Sequence, residues 1–236
     1  MRKLVRRLAT NEPTFLILVG LVLGVGTGYG AIACRAAIDL IRETVFGRPG
    51  DISVLAALPD TPRWLVLLLP AIGGLIVAPM VFLWAREARG HGVPEVMDAM
   101  ARHGGRIRPR VAIVKAVASV ITIGTGGSVG WEGPIIQIGA GLGSTAGQIM
   151  RVARRHMRVL VSCGAAAGIA ATFNAPIAGV LFSLEIFLGD LAVVTFTPVV
   201  VAAVSAAAVS FLLSLIHISE PTRQLMSSRM PSSACK

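Results

Sequence analysis

The chain has 236 residues, of which 54% are hydrophobic and only 14% charged, and its mean hydropathy is +0.76. A soluble domain carries roughly 25% charged residues, so too few polar side chains remain here to cover a globule in water. The formal net charge of +10 would suit a nucleic-acid-binding protein. The placement of the cations argues against that class, because they lie in short stretches between apolar runs with few aromatic residues among them. The composition indicates that the main partner is the lipid bilayer.

The first two apolar segments are long enough to cross a membrane, which takes about 20 helical residues. Residues 1–13 form a basic N-terminal stretch, a first span is predicted from Thr14 towards Phe46, and a second from Trp64 to Trp84. Short basic segments stay on the cytoplasmic side of a membrane. We therefore expect a multi-pass protein of the cell membrane with a cytoplasmic N-terminus.

The segments that follow are short and are interrupted by glycine and proline. Helices are predicted over residues 93–102, 111–123, 134–149, 159–172, 176–188 and 193–212. Broken helices of this kind are typical of transporters whose half-helices meet inside the bilayer. The sequence predicts an all-α, polytopic membrane domain with broken and tilted helices over residues 14–212.

Residues 213–236 differ from the rest of the chain. From Ser214 they resemble the translation of an adapter used to prepare DNA sequencing libraries. We expect the natural sequence to depart from this one near Leu213, and such artefacts are set apart from the fold. A genuine disordered tail is the alternative.

Three turns that contain glycine or asparagine run into a proline that opens an apolar helix. They are Gly90-His91-Gly92-Val93-Pro94, Gly130-Trp131-Glu132-Gly133-Pro134 and Asn174-Ala175-Pro176. Proline suits a first helical turn because its missing N–H would be unpaired there. The remaining N–H groups, with the positive end of the helix dipole behind them, are a natural site for a dehydrated anion. Two glycine turns in a broken-helix membrane protein therefore indicate anion binding.

The first two turns resemble signature motifs of the CLC family of chloride channels and proton–chloride antiporters. Residues 90–94 are similar to the family's GSGIP motif, and residues 130–134 are similar to GREGP or GKEGP. Residues 164–168 and 174–185 also read like family sequence, so the resemblance covers most of residues 14–212. It implies a homodimer in which each subunit has its own pore, built from two inverted repeats. This chain would hold the first repeat.

The resemblance also implies roles for individual residues. The backbone of the first turn would line the central and inner anion sites: Gly90, His91, Gly92, Val93 and Pro94. The outer site would be lined by Gly130, Trp131, Gly133 and Pro134. Glu132 would be the gate, because its carboxylate competes with chloride for the same helix start until it is protonated. The alternative is an acid that only stabilises the helix dipole, by about 0.3–1 kcal/mol.

Three positions depart from the family pattern. His91 stands where serine is usual, which leaves the transported anion open between chloride, nitrate and others, and Trp131 replaces a basic residue. Ile186 occupies the position at which proton-coupled members carry an inner glutamate, and Glu185 beside it is the remaining candidate for a proton relay. This pattern favours a channel gated by voltage or pH. A proton-coupled anion antiporter is the alternative.

The family's third helix start and the tyrosine that closes its central site belong to the second repeat. The chain alone is therefore expected to conduct nothing, and a non-transporting membrane half that needs a partner chain is a further alternative. No enzymatic activity, cofactor or metal is expected, since the acidic residues form no pair or metal set with the histidines. Chloride or another small anion is the expected transported ligand.

Overall fold

The computed structural model describes residues 12–46, 63–85, 90, 92–189 and 192–217. These form the helices α1 (Glu12–Phe46), α2 (Arg63–Trp84), α3 (Val93–Arg102), α4 (Pro109–Gly124), α5 (Glu132–Met150), α6 (Arg154–Phe173), α7 (Pro176–Ser183) and α8 (Val193–His217). A π-helical turn, Leu184–Leu188, continues α7. These residues contain no strand, and the predicted all-α class is confirmed.

Four of these helices, α1, α2, α6 and α8, are long and apolar enough to cross a membrane. Three of the others are short, with 10 residues in α3, 16 in α4 and 8 in α7, whereas α5 has 19. A helix of 16 residues is about 24 Å long, less than the hydrocarbon thickness of roughly 30 Å. The predicted mixture of full spans and half-spans is therefore present.

Two predicted helix boundaries differ from the structure. α6 begins at Arg154 rather than at Val159, because its basic start packs on α3. The Arg158 guanidinium donates to the Met100 carbonyl oxygen at 3.3 Å. α8 continues to His217, which is five residues into the predicted artefactual tail. The remainder of that tail and residues 1–11 lie outside the described residues.

Helix α6 is the axis of the bundle. It is buried without interruption from Val159 to Ala171 and contacts α1, α5, α7 and α8. Small residues allow this crowding, because they let helix backbones approach closely. A methyl group added at Gly139 of α5 would collide with the Gly164 carbonyl oxygen of α6, and one at Gly143 would collide with the Leu160 carbonyl oxygen. The small-residue face of α5 therefore packs directly on the α6 backbone.

A second glycine stripe joins α1 to α8. Methyl groups added at Gly20, Gly24 and Gly28 would each meet a backbone carbonyl oxygen of α8. Those carbonyls belong to Pro198, Ala202 and Ala206. The spacing of four residues on both helices keeps one face of each in register over two turns.

A buried polar network fixes α5 against the loop between α3 and α4. The Ser144 hydroxyl donates to the Gly105 carbonyl oxygen and accepts from the Ile107 N–H, both at 2.7 Å. The Gln148 side-chain amide donates to the Ile107 carbonyl oxygen at 2.7 Å. Because these bonds satisfy buried backbone groups, they set the position of α3 relative to α5.

We expect Gly164→Ala to lower the stability of the bundle by about 1–3 kcal/mol, because the added methyl group meets rigid backbone and the two helices must separate. Thermal unfolding of the purified chain in detergent, followed by circular dichroism, measures this. Gly26→Ala is the matched control, since nothing lies within 4 Å of a methyl group added there. Equal melting temperatures for the two variants would contradict the close α5–α6 contact.

Candidate functional site

The two glycine turns of the sequence lie against each other in the structure. A methyl group at Gly92 would collide with the Gly133 carbonyl oxygen, and the positive φ of Gly92, +96°, itself favours glycine. The starts of α3 and α5 therefore meet at a backbone contact. Both helices run from this point towards the basic end of the molecule, where the Gly104 segment packs on Arg154.

Both turns line one cavity of about 380 Å³, which we call the glutamate cavity. Its wall contains residues of both signature turns, together with polar and apolar side chains of α2 and α4. The residues of the two turns are Gly90, Val93, Gly130, Glu132, Gly133 and Pro134. The structure thus brings together, around one space, most of the positions predicted to bind an anion.

The other predicted positions that the structure describes, Gly92, Pro94 and Trp131, are not among the residues that line the glutamate cavity. Pro94 lines a different cavity beside α3, Trp131 lines a third one beside α1, and His91 lies outside the described residues. Asn174 ends α6 in a left-handed conformation, φ 51°. It is not among the residues that line the glutamate cavity.

Glu132 is the first residue of α5, at the positive end of its dipole. The side chain is exposed and folds back over the preceding turn, because a methyl group at Gly130 would collide with its Oε2. The Glu132 carboxylate therefore lies at the edge of the cavity, beside the backbone of the glycine turn.

Lys115 supplies a positive charge to the same cavity. It lies on α4, where it is only 7% exposed, and its Nζ donates to the Gly90 carbonyl oxygen at 2.6 Å. An ionisable side chain within an apolar membrane helix is costly unless it is partnered and functional. Lys115 was not among the predicted site residues, although a lone lysine in the apolar segment VAIVKAVASV is a signal that the sequence carries.

The start of α3 already holds a carboxylate of the chain. The Gly92 N–H donates to Glu95 Oε2 at 2.7 Å, and a methyl group at Gly90 would collide with the other carboxylate oxygen. Hydrogen bonds from an N–H to an ionised carboxylate are short and strong. An acid at the third helical position is a known capping signal, so Glu95 was also recognisable from its spacing.

Glu185 lies on the π-helical turn after α7, where it is exposed, and the neighbouring Ile186 is half-buried against the core. This turn contacts α3. Neither residue is among those that line the glutamate cavity. Single π-helical turns are often found at functional sites.

The structure combines interrupted helices with a cavity that holds a carboxylate, Glu132, and an ammonium group, Lys115. This combination defines a class of polytopic membrane protein in which half-helices form the ligand site. Residues 73–230 match the family model described as voltage gated chloride channel. The chain therefore belongs to this family, the CLC family, as its signature turns predicted.

The chain spans about half the length of the curated relatives it matches. It is 36% identical over 182 residues to a ClcB-like chloride channel protein of Ralstonia nicotianae, covering 75% of this chain and 42% of the relative. It is 31% identical over 200 residues to the voltage-gated ClC-type chloride channel ClcB of Citrobacter koseri, covering 84% of this chain and 47% of the relative.

Solved structures of the family have the same fold. A slow cyanobacterial Cl⁻/H⁺ antiporter superposes with a TM-score of 0.67 at 25% identity, covering 84% of this chain and 46% of that one. A CLC-type fluoride/proton antiporter gives a TM-score of 0.67 at 27% identity, covering 86% and 47%. The predicted CLC-like architecture is confirmed, and the protein is a multi-pass membrane protein.

We expect Glu95→Ala to expose the Gly92 N–H, which loses its carboxylate acceptor. A hydrogen bond to a charged group is worth about 1.5–3 kcal/mol, so amide exchange at Gly92 should be faster by roughly tenfold or more. Residue-resolved hydrogen–deuterium exchange of the chain in detergent measures this. Glu95→Gln keeps an acceptor oxygen and should show the smaller change; equal rates in both variants would argue against the capping contact.

Proposed function

We propose that the full-length protein of which this chain forms about half moves chloride or a similar small anion across the cell membrane. One observation carries the proposal: two helix starts, Glu132 and Lys115 share the glutamate cavity. Backbone N–H groups, helix dipoles and an ammonium group favour a dehydrated anion, and they do so most strongly where water is excluded. The chain's relatives include chloride channels, and its structural neighbours include anion–proton antiporters, which supports the same conclusion.

The anion sites in this proposal are the two turns at residues 90–94 and 130–134. The start of α5 offers the bared backbone of Gly130 and Gly133 beside Lys115. At the start of α3, one N–H already donates to Glu95, so the remaining groups of the turn would hold an anion there. The family resemblance adds His91 to these groups.

Glu132 is proposed as the gate. Its carboxylate is an anion tethered at the start of α5, and it occupies the place that a free anion would take. Protonation removes the negative charge, weakens the attraction to the helix start and frees the place. Anion flux is therefore expected to rise as the pH falls.

Transport without proton coupling is the favoured form of this function. Proton relay from one side of the membrane would need a carboxyl group along the path, and Ile186 supplies none. Glu185 is exposed and lies away from the glutamate cavity. The two antiporter structures with the same fold support the alternative, a proton-coupled exchanger in which Glu185 relays protons.

We further propose that the functional form is a homodimer with a cytoplasmic N-terminus. The loop at residues 103–108 and the first turn of α6 are both rich in arginine and lie side by side. Such a cluster of cations favours the cytoplasmic side. The exposed apolar residues Ile177 and Leu181 on α7 offer a surface for a second subunit.

In the full-length protein, Glu132→Gln is expected to give high anion flux that no longer depends on pH, equal to the flux of the unmodified protein at low pH. Chloride efflux from liposomes, followed with a chloride electrode between pH 4 and pH 8, measures this. Glu43→Gln removes an exposed acid on α1 and is the matched control. A Glu132→Gln protein that keeps the original pH dependence would remove Glu132 from the gate.

A chloride gradient is expected to drive no proton movement through the full-length protein, because Ile186 leaves the inner end without a proton-carrying group. The measurement is the pH of a weakly buffered liposome suspension while chloride flows down its gradient. The 236-residue chain alone, expected to carry no flux, serves as the baseline. Uphill proton transport at a fixed ratio to chloride would establish the antiporter alternative instead.

A further inference from the structure

A second cavity lies beside the start of α5, and we call it the arginine cavity. It measures about 410 Å³ and is bounded by Trp131, by the end of α6 and by one face of α1. Its charged residues are Arg35, Asp39 and Arg42. Trp131 and Glu132 are consecutive, yet they line different cavities, so the first turn of α5 separates the arginine cavity from the glutamate cavity.

The three charged residues belong to a helix that has the length and hydropathy of a membrane span. Their spacings of four and three residues place them on one face of α1. These residues follow the uncharged stretch at residues 14–34, and a helix of 35 residues is about 52 Å long, more than the hydrocarbon thickness of roughly 30 Å. The charged end of α1 can therefore reach beyond the hydrocarbon. Two guanidinium groups oppose one carboxylate here, so the side chains of the cavity carry a net positive charge.

Arg35 is exposed, whereas Arg42 is partly buried and its hydrogen bonding is incomplete. The Arg35 guanidinium donates to the Thr172 carbonyl oxygen at 3.4 Å, and Arg42 Nη1 lies 4.0 Å from Asp39 Oδ1. A close guanidinium–carboxylate pair measures about 2.7–2.9 Å, so this pair is long. Arg42 Nε is buried and has no acceptor among the residues that the structure describes.

We propose that the arginine cavity is an anion-binding antechamber that holds a halide or nitrate ion between Arg35 and Arg42, next to Trp131. An anion would give the buried Arg42 Nε an acceptor and would balance the charge of the cavity. Passage from there to the glutamate cavity rests on the proposed function. Binding in the antechamber does not, because it depends on residues of α1 that take no part in the gate.

Trp131 reports on the antechamber directly. The chain has three tryptophans, and Trp64→Phe with Trp84→Phe leaves only Trp131. Iodide quenches indole fluorescence on contact, whereas acrylamide does the same without charge. In the purified single-tryptophan chain, Arg35→Gln with Arg42→Gln should lower the iodide quenching constant at least about threefold, since a charged cleft raises the local counter-ion concentration. The acrylamide constant should stay unchanged.

Two further variants make the test selective. Arg106→Gln with Arg151→Gln removes the same charge from exposed positions elsewhere and should leave iodide quenching unchanged. Arg35→Lys with Arg42→Lys (the lysine pair) keeps both positive charges and should keep most of the iodide quenching. This also holds if Arg35→Gln with Arg42→Gln (the glutamine pair) opens the cavity and raises the acrylamide quenching constant.

The proposal fails if iodide quenching is the same with and without the two arginines. It also fails if the distant arginine pair has an equal effect, or if the lysine pair quenches as weakly as the glutamine pair. A carboxylate from another part of the chain that fills the cavity would produce the first of these results. Glu132→Gln should leave the iodide quenching constant unchanged. A failure of the proposed gate would therefore be seen in the flux measurements, and a failure of the proposed antechamber would be seen in the quenching measurements.

Discussion

A helix that begins inside a membrane protein has N–H groups without intrahelical acceptors and with no bulk water to bind. Helices α3 and α5 both begin in this way, and much of the described architecture supplies partners for these N–H groups. Gly92 donates to the folded-back carboxylate of Glu95, and Lys115 binds the carbonyl oxygen of Gly90. The cavity between the two starts is the space in which the remaining backbone groups can be satisfied.

Close backbone packing makes this arrangement rigid. Glycines bring α5 onto α6, bring α1 onto α8, and let the Gly92 turn touch the Gly133 carbonyl oxygen. The Ser144 and Gln148 network holds the far end of α3 against α5. A helix start that cannot move far keeps its dipole directed at one place. It can then stabilise a negative charge at that place without any rearrangement of the protein.

The fold was largely predictable because its signals are local: hydropathy marks the spans, and glycine turns that run into a proline mark the starts of α3 and α5. The first turn of α6 was missed because its arginines lower the local hydropathy although they continue the helix. The contact of Lys115 with Gly90 joins residues 25 positions apart, and no local pattern encodes it. The arginine cavity depends on three separate helices, so its residues could not be associated with Trp131 before the helices were placed.

The turn at residues 130–134 has a consequence for how this protein can vary. Neighbouring residues in an α-helix point about 100° apart, and here that angle decides which of two chambers receives the indole of Trp131 and which receives the carboxylate of Glu132. Inserting or deleting one residue would rotate the helix start by that angle and turn both side chains away from their present chambers. Substitutions at either position change a single chamber. A change in the length of the turn therefore alters both chambers at once.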